Sequence, residues 1–105
     1  MRGSTSVYQT IRKDYEDGHL EPIEFRDRMV AAVRQGGGNT SVRVFRGLLV
    51  LCRGNDTFYT EAALSTHLGV PPSPLRPFID SGIVEVTRGT RRNPLYRVKP
   101  EFKEA

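Results

Sequence analysis

Residues 60–70, TEAALSTHLGV, decide the fold of this chain. Thr60 is a favourable N-cap, because its hydroxyl can accept a hydrogen bond from a free N–H of the first helical turn. Leu64 and Leu68 lie four residues apart, on one apolar helix face. Gly69 is typical of the residue that ends a helix in the left-handed conformation. The stretch therefore predicts a short helix followed by a tight turn.

A second helix is predicted after this turn, from about residue 73 to residue 81. Its apolar residues are Leu75, Phe78 and Ile79. Pro74 suits the first helical position after a Ser73 cap, whereas Pro77 removes an N–H group that the helix would use. The helix therefore starts at Pro74 with one bond missing, or it starts at Pro77 and is barely two turns long.

Two strands joined by a basic turn are predicted next. Residues 83–87, IVEVT, are strand-like by composition, and residues 95–99, LYRVK, alternate so that Tyr96 and Val98 share one face. The turn between the strands has the sequence RGTRRNP, residues 88–94. These segments predict an antiparallel hairpin with a positively charged tip.

Another helix is predicted before residue 60 in the sequence, with Thr40 or Ser41 as its N-cap and Gly54 at its C-terminal end. Its apolar residues are Val44, Phe45, Leu48, Leu49 and Cys52, the only cysteine. Gly47 weakens this helix but permits close packing against a neighbour. A short extended segment, residues 57–59, connects it to Thr60.

Two further amphipathic helices are predicted in residues 1–35, with a break at residues 17–18, DG. The apolar stripes are Val7, Ile11 and Tyr15 in the first helix and Phe25, Met29, Ala32 and Val33 in the second. Residues 36–39, GGGN, indicate a flexible linker to a domain comprising residues 40–105. The hairpin is too small to fold alone, so we expect it to form a homodimer with a second copy or to complete the core of its own chain.

The positive charge of the chain is concentrated after residue 39. Residues 1–39 carry six basic and six acidic groups, whereas residues 40–105 carry ten basic and six acidic groups, and the net charge is +4. Five basic residues follow Val86 with no acidic residue among them: Arg88, Arg91, Arg92, Arg97 and Lys99. Such a cluster is typical of a polyanion binder, although a solvated basic turn has the same composition.

Several classes of protein are excluded by the sequence. The densest apolar stretch, residues 42–52, contains two arginines and a glycine, so it is too short and too charged to span a bilayer. The N-terminus lacks the apolar core of a signal peptide, so we expect a cytoplasmic protein with no membrane partner. Paired metal-ligand spacings, a phosphate loop and a nucleophile elbow are missing, so we expect neither enzymatic activity nor a cofactor.

Three segments carry a resemblance to a known fold. Residues 60–70 resemble the helix and turn of MarR- and ArsR-type regulators, residues 78–84, FIDSGIV, resemble the end of their recognition helix, and residues 88–96 resemble their wing. The resemblance covers roughly residues 40–100. It implies a mainly α fold with a small antiparallel β-wing, a winged helix-turn-helix preceded by an N-terminal helical hairpin. Residues 17–26, DGHLEPIEFR, also resemble the hairpins of SHOCT-type modules, but no function rests on them.

The resemblance implies binding of double-stranded DNA. In such folds one helix crosses the DNA backbone, the next enters the major groove, and the wing reaches phosphates or the minor groove. The candidate DNA-binding residues are Thr60, Ser65, Thr66 and His67 on the first helix, Ser73 and Arg76 on the second, and Arg88, Arg91, Arg92 and Arg97 on the wing. Because the second helix is short and rich in proline, we expect phosphate contacts and shape readout to dominate over base contacts.

Two functions are compatible with this pattern. The chain is a small transcriptional regulator or a plasmid- or phage-type DNA-binding accessory protein, or it is a winged-helix module that contacts proteins within a larger complex. The prolines of the second helix favour protein contacts, whereas the acid-free wing favours DNA.

Overall fold

Five helices and three short strands follow one another in the described part of the chain, residues 3–69, 73–89 and 93–103 of a computed structural model. The helices are α1 (Gly3–Glu16), α2 (Pro22–Gln35), α3 (Asn39–Leu51), α4 (Glu61–Leu68) and α5 (Arg76–Asp80). The strands are β1 (Tyr59–Thr60), β2 (Val84–Arg88) and β3 (Pro94–Val98), and 3-10 turns lie at Ser73–Leu75 and Pro100–Phe102. The predicted fold class, mainly α with a small antiparallel sheet, is confirmed.

The three strands form one antiparallel sheet in the order β1-β3-β2. Tyr96 in the central strand lies opposite Tyr59 on one side and Val86 on the other. Tyr96 and Val98 are buried, as the alternation of β3 predicts. Both predicted hairpin strands are present with a shift of one residue, because β2 begins at Val84 and β3 begins at Pro94.

The helix that decides the fold has the predicted boundaries. Thr60 is the N-cap of α4, and its Oγ1 accepts a hydrogen bond of 3.1 Å from the N–H of Ala63. Gly69 ends the helix with φ of 74°, in the left-handed region that favours glycine. Leu64 is fully buried on the predicted apolar face. Local rules of helix capping therefore account for this element.

A hydrogen-bonded turn joins α2 to α3, where the sequence analysis predicted a flexible linker. The N–H of Gly38 donates to the carbonyl oxygen of Val33 over 2.8 Å. A Cβ atom at position 38 would lie 2.9 Å from that oxygen, so only glycine allows this approach. α3 begins at Asn39, with Gly38 as its N-cap, and not after a Thr40 or Ser41 cap, because the turn already brings the chain into helical geometry.

The N-terminal hairpin completes the core of its own chain. Phe25, Met29 and Val33 are at most 2% exposed. The ring of Phe25 stacks on Tyr15 at 4.5 Å and meets Phe102, near the end of the described chain, at 5.7 Å. Of the two outcomes expected for the hairpin, a homodimer interface or completion of its own core, the structure shows the second for α2. The apolar stripe of α2 is therefore covered within one chain, whereas Val7 of the α1 stripe is 48% exposed. The homodimer stays a prediction.

Gly47 allows α3 and α4 to pack closely, as its sequence context predicts. A Cβ atom at position 47 would overlap the Cδ2 methyl group of Leu68. We expect Gly47→Val to lower the free energy of unfolding by about 1–3 kcal/mol, because it overfills this contact. Urea denaturation followed by circular dichroism measures the change. Arg46→Val, at the exposed neighbouring position, reports the intrinsic effect of valine on the helix, and equal losses in the two variants would contradict the packing argument.

Candidate nucleic-acid interface

The predicted polar residues of α4 lie on its solvent side. Ser65, Thr66 and His67 are exposed, whereas Leu64 anchors the opposite side in the core. Thr60 is exposed too, but its hydroxyl oxygen accepts the hydrogen bond that caps α4. The three residues on the solvent side are therefore available to a ligand, and Thr60 acts first as a structural cap.

The helix after the turn is short and firmly anchored. Phe78 is fully buried and stacks on Phe45 of α3 with ring centroids 4.2 Å apart. α5 begins at Arg76, and Pro77 lies within its first two positions. This start is close to Pro77, the later of the two predicted starts. Ser73 begins the preceding 3-10 turn, and its side chain lies outside the described part of the structure.

Arg76 extends from the solvent side of this anchored helix. Its side chain is 79% exposed, and its Nε lies 3.6 Å from the Oδ1 atom of Asp80. Ion pairs between such exposed groups contribute at most about 1 kcal/mol. A phosphate or a base edge can therefore replace Asp80 as the partner of Arg76 at little expense in stability.

α1 lies beside α5, which the sequence analysis did not predict. Nη1 of Arg12 donates a hydrogen bond of 3.1 Å to the backbone oxygen of Asp80, at the C-terminal end of α5. A positive charge at this end of a helix is stabilising. A cleft of about 390 Å³ separates the two helices. It is lined by Tyr8, Gln9, Arg12, Met29, Arg76, Pro77, Asp80 and Ser81.

The described residues include the base of the wing but not its tip. Arg88, at the end of β2, is exposed, and the N–H of Gly89 donates to the carbonyl oxygen of Asn93 over 2.8 Å, which closes the turn. Arg91 and Arg92, predicted at the tip, lie outside the described residues. Arg88 has no ion pair within the described part of the chain, so its guanidinium is available to a ligand.

Arg97, predicted as a DNA-binding residue, is half-buried and makes its contacts within the fold. Its Nε lies 2.9 Å from the Oε1 atom of Glu85, the residue directly opposite on β2, and its Nη1 donates to the backbone oxygen of Asp56. Its guanidinium also lies 4.6 Å from the centre of the Phe58 ring. With its side chain 23% exposed, Arg97 stabilises the sheet, and we leave it out of the candidate interface.

Two tyrosines have a raised pKa because of their surroundings in the fold. Burial raises the pKa of Tyr96, and the negative charge of Glu61 raises it further. Burial also raises the pKa of Tyr15, with smaller contributions from Glu101 and Glu21. Both hydroxyls therefore stay uncharged at neutral pH, and neither adds negative charge near the candidate interface.

A second basic surface lies on α3 and was missed by the sequence analysis. Arg43, Arg46 and Arg53 are exposed, and we call them the α3 basic face. Among the described residues, none of the three pairs with a carboxylate. The sequence does contain the signal, because residues 28–55 include five arginines and no acidic residue.

No protein-family model, curated protein or solved structure matches this chain. The resemblance to MarR- and ArsR-type regulators therefore depends on the quoted residues and on the order of the elements alone. Within the described segments, every helix is too short or too polar to cross a membrane.

Proposed function

We propose that the chain binds double-stranded DNA through α4, α5 and the wing, residues 88–94. The observation that carries the proposal is the exposed Arg88, which has no ion pair among the described residues, at the base of a wing whose sequence contains three arginines and no acidic residue. Exposed arginines without carboxylate partners are suited to phosphate, because the phosphate backbone provides most of the attraction between proteins and DNA.

The geometry of α4 and α5 supports a binding mode dominated by contacts with the DNA backbone. Arg76 extends from α5, where it can bind a phosphate or donate two hydrogen bonds to O6 and N7 of a guanine. Ser65, Thr66 and His67 are exposed on α4, and their side chains can donate hydrogen bonds to DNA backbone oxygens. Because α5 has only five residues, few side chains can reach base edges, and sequence discrimination is expected to be modest.

We further propose a cytoplasmic role as a small transcriptional regulator or as a plasmid- or phage-type accessory protein. A homodimer would place two copies of α5 on two half-sites. Since Phe25, Met29 and Val33 are buried within one chain, such a dimer would need a different surface. Light scattering at micromolar concentration tests whether it forms.

The tip of the wing provides the direct test of DNA binding. We expect Arg91→Ala with Arg92→Ala to weaken binding to two unrelated duplexes equally, because phosphate contacts carry no sequence information. The slope of log K against log salt should fall by about 0.9 for each lost contact. Fluorescence anisotropy over a series of KCl concentrations measures both quantities.

A variant with the same change of charge is the control. Arg28→Ala with Arg34→Ala alters two exposed arginines of α2 and should leave the slope unchanged. An unchanged slope in the wing variant would place the wing outside the interface. If the full chain fails to bind any duplex at low salt, the proposal is wrong, and the protein-contact function of this fold becomes the favoured one.

A further inference from the structure

The α3 basic face is the feature that the proposed function leaves unused. Three other exposed basic side chains are paired with an acidic residue: Arg12 with Glu16, Lys13 with Asp17 and Arg76 with Asp80. Arg28, Arg34 and Arg88 are exposed and have no ion pair among the described residues. Arg43, Arg46 and Arg53 have no such partner in the described segments, and α3 contains no acidic residue at all. In the part of the chain that the structure describes, no ion pair therefore offsets the repulsion between these charges.

The α3 basic face points away from α5. Phe45 points towards α5, because its ring stacks on Phe78. Successive residues of an α-helix are rotated by about 100°, so Arg43, two residues before Phe45, extends to nearly the opposite side. Arg46 lies about 100° from Phe45 around the helix axis, and Arg53 follows just after the end of the helix. Arg43 and Arg46 therefore face solvent on a side of α3 that the contact with α5 does not cover.

The composition of the face suits a phosphate backbone better than a protein. Protein interfaces concentrate their binding energy in a buried centre of aromatic and other large side chains surrounded by polar residues. Among the described residues, the only exposed large apolar one on this side of α3 is Val50, which is 64% exposed. Phosphate binding needs only accessible cations. Arg43 and Arg46 are three residues apart on α3, about 4.5 Å along the helix axis, so neighbouring phosphates can be contacted together.

We propose that the α3 basic face binds the backbone of a second DNA duplex, so that one chain bridges two duplexes. The first duplex is the one assigned to α4, α5 and the wing, and in that respect this proposal rests on the proposed function. Binding of the second duplex involves no base contacts, so it is independent of sequence and sensitive to salt. The chain then acts as a cross-link between DNA segments as well as a binder of one site.

A capture experiment tests bridging. The full chain is bound to a biotinylated duplex on beads, and retention of a fluorescent duplex of unrelated sequence is measured. We expect the triple variant Arg43→Gln, Arg46→Gln and Arg53→Gln to bind a single duplex within about threefold of the unaltered chain but to retain at least tenfold less of the second, because it loses up to three phosphate contacts. A triple Arg→Lys variant at these positions keeps the charge and should retain the second duplex.

A matched variant controls for total charge. Lys13→Gln, Arg28→Gln and Arg34→Gln remove three exposed cations from α1 and α2 and should leave capture unchanged. Equal capture by the α3 triple variant would overturn the proposal, since bridging would then come from elsewhere, such as two wings of a dimer. A chain that binds one duplex but never retains a second would also overturn it, while leaving the proposed function intact. A chain that binds no duplex overturns both.

Discussion

Removal of residues 1–37 is expected to abolish cooperative folding of the remaining chain. The deletion takes away Phe25, Met29 and Val33, which are at most 2% exposed in the complete chain. Burial of each such side chain stabilises a fold by about 1.5–3 kcal/mol, so the three together approach the total stability of a small domain, about 5–15 kcal/mol. We expect the shortened chain to lack a cooperative thermal transition by circular dichroism and to aggregate in light scattering.

A substitution in the same hairpin serves as the control. Val7 is 48% exposed, and Val7→Ala should unfold at nearly the same temperature as the unaltered chain. A shortened chain that is monomeric and melts cooperatively near the temperature of the full chain would contradict this expectation. It would show that residues 1–37 form a separate unit, as the sequence alone allowed.

Phe78→Ala is expected to lower the free energy of unfolding by about 3–5 kcal/mol. The Phe78 ring is fully buried and stacks on Phe45, and it is the main anchor of a helix of only five residues. Urea denaturation measures the loss. Under conditions where the variant remains folded, DNA affinity should fall as well, because α5 loses its fixed position.

Two further variants check the origin of this effect. Phe78→Leu keeps most of the buried volume and should lose clearly less stability than Phe78→Ala. Phe58→Ala removes a half-buried ring that contacts Arg97 and should also lose less. Similar losses in all three variants would mean that the stack between Phe78 and Phe45 has no special role.

The parts of the fold that depend on residues close together in the sequence were predictable. The Thr60 cap and the Gly69 end of α4 follow from hydrogen bonding and steric rules that operate within one helical turn. The alternation in β3 gave the correct buried face, because successive side chains of a strand point to opposite sides. Pro77 correctly indicated a short α5.

The parts that depend on distant contacts were not predictable. The pairing of Arg97 with Glu85 requires the register of β2 against β3, so composition placed Arg97 in a ligand-binding cluster. The apolar stripe of α2 shows that a partner surface is needed, but it does not show whether that surface belongs to the same chain. The contact of Arg12 with Asp80 joins elements 68 residues apart, beyond the reach of any local pattern.

The contact between the hairpin and the 3-10 turn Pro100–Phe102 sets a constraint on biosynthesis. Nη1 of Arg26 donates to the backbone oxygen of Phe102 across 76 residues, and Phe25 packs on the Phe102 ring. During translation the hairpin emerges from the ribosome before this turn. The contacts of Phe25 and Arg26 with Phe102 therefore form only after almost all of the described chain has been synthesised.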